Sequence, residues 1–90
     1  MIKHYRIHVI GTVQGVWFRK YTKEAALSHH VRGMVKNEID GNVYIEAEGE
    51  EENLSSFIQW LDTGSPLSNV KEVKWDEGSL QHFTQFEISQ

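Results

Sequence analysis

The chain has 90 residues, a formal net charge of −4 and no cysteine. That length fits one domain over residues 1–90, with a core that removes only roughly 60% of the unfolded surface from water. The acidic balance opposes non-specific nucleic-acid binding, and the lack of cysteine excludes a disulfide scaffold, a thiolate nucleophile and a cysteine-ligated zinc site. Residues 1–6 lack the apolar run of a secretion signal, and no stretch approaches the roughly 20 apolar residues of a membrane span. A cytoplasmic protein is expected.

Residues 3–12 alternate, with Tyr5, Ile7 and Val9 on one face and His4, Arg6 and His8 on the other. Period two predicts a half-buried strand. The glycine-containing turn Gly11-Thr12-Val13-Gln14-Gly15-Val16 follows. From residue 17 to 29 the period changes: Phe18, Thr22, Ala25, Ala26 and His29 recur three and four apart, which predicts a helix. A second strand is expected over 31–37, with Val31, Gly33 and Val35 on one face. Asp40-Gly41 is a hairpin signal. Val43, Ile45 and Ala47 then alternate with Tyr44, Glu46 and Glu48 in a third strand. The acidic run Glu50-Glu51-Glu52 suits the start of a second helix over 51–62, with Leu54, Phe57, Ile58 and Leu61 as its apolar stripe and Gly64 as its stop. A fourth strand is expected over 70–75, with Val73 and Trp75 on one face, a turn over 77–79, and a short fifth strand within 83–89, with Phe86 and Ile88 inward.

The order β-α-β-β-α-β is that of an α+β, ferredoxin-like split βαβ sandwich: two helices on one face of a mostly antiparallel sheet of four or five strands. In it the first and second strands are parallel, so the turn after the first and the end of the second share one edge of the sheet.

That shared edge carries the chemistry. Most glycine turns ahead of helices only redirect the chain. This one opens a helix, whose free N–H groups and positive dipole end suit an anion, and Arg19 adds a forked cation one turn in. It is neither a nucleotide-binding P-loop nor a dinucleotide fingerprint. Asn37 closes the second strand, where asparagine ordinarily belongs to a turn. Its amide is also able to donate to a ligand and accept from a water. The five histidines form no metal motif: His4 and His8 are roughly 13 Å apart along a strand, and all five are expected at the surface or at a helix end. Trp17, Trp60 and Trp75 are expected to pack in the core or at a pocket edge. The third strand is acidic with one aromatic, against an RNA-recognition surface.

Two blocks of the chain closely resemble the acylphosphatases. Val13-Gln14-Gly15-Val16-Trp17-Phe18-Arg19 is similar to their phosphate-binding signature, and Gly33-Met34-Val35-Lys36-Asn37 with Asp40-Gly41-Asn42-Val43 to their second signature. The interval between the blocks agrees as well. The resemblance implies a hydrolase that cleaves acyl phosphates to carboxylate and inorganic phosphate, with no metal and no cofactor, and a monomer is expected. It implies Arg19 as the phosphate-binding arginine, Asn37 as the residue orienting the attacking water, and the backbone of Gln14, Gly15, Val16, Trp17 and Phe18 as the cradle. Both blocks address the phosphoryl end and leave the acyl group open. The chain departs from the family pattern at His29-His30, where an aliphatic residue and glycine are usual, and at Met34, where an aromatic is common. His30 is therefore expected in a left-handed conformation, at about 1–2 kcal/mol. The alternative class is a non-catalytic ferredoxin-like module holding an oxyanion or a partner.

Overall fold

The computed structural model describes residues 1–15 and 17–89. The elements are β1 (Ile2–Thr12), α1 (Phe18–Ser28), β2 (Arg32–Asn37), β3 (Val43–Glu50), α2 (Glu51–Thr63), β4 (Asn69–Gly78) and β5 (Phe86–Ile88). They form one five-stranded sheet in the order β4-β1-β3-β2-β5. β3 lies between β1 and β2 and is antiparallel to both, so β1 and β2 point the same way. β4 runs antiparallel to β1, and β5 runs parallel to β2. The architecture is the ferredoxin-like sandwich expected from the element order.

The inward positions of the strands supply the core. Tyr5, Ile7 and Val9 of β1, Val35 of β2, and Val43, Ile45 and Ala47 of β3 are buried with Phe18, Ala25 and Ala26 of α1 and Leu54, Phe57 and Leu61 of α2. The hydrophobic effect drives this packing, at roughly 25 cal/mol per Å² of apolar surface removed from water. Trp60 is half-buried, its ring 6.2 Å from that of Phe18. α1 ends as its sequence requires: His30 adopts φ 57°, and Val31 N–H bonds Ala26 C=O at 2.8 Å.

The structure corrects several expectations. Trp17 is not the first helical residue but the residue before α1, with φ 60° and ψ 20°. β4 continues through residues 76–78, so there is no turn at 77. Those positions are polar on both faces and carry no alternation, yet they pair with β1 as far as His4↔Gly78. Trp75 lies against Tyr5, ring centroids 4.5 Å apart, but remains half-exposed because β4 is an edge strand. β5 is shorter than the predicted span, and Ile88 is exposed while Phe86 is buried. Lastly, His4 is buried rather than at the surface. Its ring stacks on Phe83 at 5.9 Å, and it is bracketed by Glu48 (Nδ1 to Oε2, 2.9 Å) and Glu46 (Nε2 to Oε1, 3.0 Å). The segment after β4 folds back over one end of the outer face and covers His4 and Glu48 there, while Arg6 and His8 stay exposed.

Candidate active site

Parallel β1 and β2 bring three chain segments to one edge of the sheet. They are the turn after β1, the end of β2 and, because β5 also runs parallel to β2, the last described residues. A cleft of about 440 Å³ opens there. Its walls come from Val13, Gly15, Trp17 and Phe18 of the turn, Arg19 and Lys20 of α1, Asn37 of β2 and Ile88 of β5.

Local geometry explains why the turn is open to a ligand. Gly15 takes φ 73° with free space where a side chain would begin, so the demand there is conformational. At the start of α1 no side chain caps the helix, and the first backbone bond runs from Tyr21 N–H to Trp17 C=O at 3.1 Å. The N–H groups of the first turn therefore lack intrahelical partners at the residues that line the cleft. Arg19 is half-buried and donates from Nη1 to the Ser89 carbonyl at 3.2 Å. The ion pairs among the described residues involve Lys3, His4, Arg6 and the N-terminal amine, and none involves Arg19. Among the described residues no carboxylate pairs with its remaining donors, which lie at the same cleft as the free N–H groups. Among the described residues the cleft wall includes two cations, Arg19 and Lys20, and no carboxylate.

Asn37 brings the complementary feature. Its Oδ1 is buried and has no hydrogen-bond partner among the described residues. A buried amide oxygen left unpaired costs about 1–3 kcal/mol, so a group of this kind points to a donor that binds there.

The side chains of the turn divide between support and cleft. Gln14 does not line the cleft. Its Nε2 donates to the carbonyls of Glu38 (2.8 Å) and Asn42 (2.9 Å), tying the turn to the β2–β3 hairpin. That hairpin is closed by Asp40, whose Oδ1 accepts from Asn42 N–H at 3.0 Å, and Asn42 Oδ1 in turn accepts from Gly11 N–H at 3.4 Å. Phe18 anchors the helix in the core and is fully buried. Trp17 does the opposite and is 71% exposed at the mouth of the cleft. Val16 lies outside the described residues. The sequence singled out neither Lys20, which helical periodicity put on the outer side of α1, nor Ile88, which strand alternation put in the core. Only the meeting of α1 and β5 at this edge could reveal them. Among the described residues no group of three or more His, Cys, Asp or Glu is placed to hold a metal ion, and no helix is long and apolar enough to cross a membrane.

Comparison with known proteins agrees over nearly the whole chain. The acylphosphatase family model matches residues 5–88. An acylphosphatase of Bacillus licheniformis is 46% identical over 94% of this chain and 96% of its own length. The crystal structure of an acylphosphatase from Bacillus subtilis superposes with a TM-score of 0.95 at 42% identity, each chain being covered completely. The structure of an acylphosphatase from Coxiella burnetii gives 0.94 at 31% identity, covering 98% of this chain and 93% of that one.

Proposed function

The chain belongs to the acylphosphatase family, hydrolases of acyl phosphates, and from that premise we propose how its cleft carries out the reaction. The phosphoryl group of the substrate is held by Arg19 and by the N–H groups at the start of α1, and the attacking water is oriented by Asn37. The observation that carries this reading is the buried, unpartnered Oδ1 of Asn37, in one cleft with an arginine that has no carboxylate partner among the described residues.

An acyl phosphate is a mixed anhydride. Its leaving group is a carboxylate, a stable anion that needs no general acid. What the reaction needs is neutralisation of the phosphoryl oxygens and a water held in line with the bond that breaks. Arg19 and the N–H groups supply the first by electrostatic preorganisation. Asn37 supplies the second: Oδ1 accepts a hydrogen bond from the water and turns its lone pair toward phosphorus. The new bond joins the water oxygen to phosphorus. The bond from phosphorus to the bridging oxygen breaks, and its electron pair leaves with the carboxylate. An amide is no base, so the water proton passes to a phosphoryl oxygen. The products are a carboxylate and inorganic phosphate. The residues described in the cleft supply these steps without a metal, cofactor, nucleic acid or membrane, and each copy of the chain carries a full set. The absence of cysteine suits a reducing compartment such as the cytoplasm.

Two substitutions separate the roles. Arg19→Ala is expected to abolish both inorganic phosphate binding and turnover. Asn37→Ala is expected to bind inorganic phosphate nearly as wild type does while losing at least about 100-fold in kcat, the scale of a lost positioning interaction. Titration with phosphate beside steady-state hydrolysis of benzoyl phosphate reads both. Full activity in Asn37→Ala would sink the water-orienting role. A folded wild type that binds phosphate but turns nothing over would instead be a binding module.

A further inference from the structure

Trp17 is held unlike the other large apolar side chains of the site. Its backbone is in the left-handed region at φ 60°, disfavoured for a bulky residue. Its indole stands 71% exposed while the adjacent Phe18 is buried. Strained backbone concentrates at functional sites, where its surroundings hold it. Lys20, in the first turn of α1, places Nζ 5.7 Å from the indole centroid, close enough for a cation–π contact that restricts the ring. Ile88 of β5, 40% exposed, lines the same cleft. Trp17 and Ile88 thus give the cleft an apolar side, while Arg19, Asn37 and the free N–H groups give it a polar one. The substrate of the reaction proposed above has the same two ends.

Resting on that reading, we propose that the Trp17 indole and Ile88 form the platform for the acyl group, and that the site selects acyl phosphates with a flat, apolar acyl group over those with a small one. A planar aroyl group stacks on an indole and removes it from water, whereas an acetyl group covers little of either side chain.

The test is the ratio of kcat/KM for benzoyl phosphate to that for acetyl phosphate, in wild type, Trp17→Ala and Trp17→Phe. A loosened turn would lower both rates together and leave the ratio in place. Trp17→Ala is expected to lower the ratio by about 3- to 10-fold, the scale of one aromatic pair, chiefly through KM for benzoyl phosphate. Trp17→Phe is expected to keep most of it. An unchanged ratio in Trp17→Ala, with both rates equal to wild type or equally reduced, overturns the platform and leaves the hydrolase standing. A folded wild type that hydrolyses neither compound overturns both.

Discussion

Arg19 and Asn37 can be used for a ligand because other residues carry the structural work around them. The same division appears on the far side of the sheet at Glu48. This carboxylate is buried and accepts from the backbone N–H groups of Gln81 and Phe83 and from His4. Burial alone would push its pKa up. The two N–H donors and His4 outweigh burial and hold it below its ordinary 4.5. The sign follows from that direction. In the unfolded chain Glu48 takes up its proton at the ordinary value, while the folded chain resists it. The stabilisation is therefore complete above 4.5 and is lost as pH falls from there through the lowered folded value. Glu48→Gln is expected to lower stability by about 1–3 kcal/mol at neutral pH and to lose less than wild type on acidification. Urea unfolding at descending pH checks this; identical acid profiles would show that Glu48 does not carry the acid sensitivity. At this scale the sequence, through its two family-like blocks, pointed to Arg19 and Asn37, and both line the cleft. His4 was not. Alternation assigned it correctly to the outer face, but only the returning segment at 80–83 makes that face an interior.

At the scale of elements, the turn after β1 and the β2–β3 hairpin behave as one part, joined by Gln14. The two carbonyls it reaches have other donors too: Glu38 N–H bonds Asn42 C=O at 2.8 Å, and Gly41 N–H bonds Glu38 C=O at 3.2 Å. Losing Gln14 therefore frees the turn more than it unfolds the chain. Gln14→Ala is expected to destabilise by only about 1 kcal/mol and to lower kcat roughly tenfold by misplacing the donors of the turn. Thermal unfolding beside benzoyl phosphate hydrolysis separates the two; wild-type kcat would show that Gln14 does not position the turn. The elements themselves were readable wherever one face is apolar, as in β1, β3 and both helices. β4 was read short because its last residues are polar on both sides and are held by main-chain pairing with β1, which leaves no periodicity. Gly33 likewise read as one more position of a strand face. A side chain there would begin 1.8 Å from the Glu46 carbonyl oxygen, a close approach of two backbones that a single sequence does not display.

For the whole molecule, topology decides what meets what. Because β1, β2 and β5 all run toward one edge, a turn, a strand end and the C-terminal segment converge without any one of them being long. The first two were foreseeable from the split βαβ order, since they follow from β1 and β2 being parallel. The third was not: nothing in residues 83–89 specifies pairing with β2 rather than the other edge, so Ile88 and the Ser89 carbonyl on Arg19 entered only with the structure. In the reading proposed here, the site holds the phosphoryl end with backbone and one arginine and directs a water at phosphorus rather than at the acyl carbon. Hydrolysing benzoyl phosphate in water carrying heavy oxygen tests that most directly. The label is expected in the inorganic phosphate and not in the benzoate. Label in the benzoate would mean attack at the carbonyl carbon, and would contradict the roles given to Arg19 and Asn37.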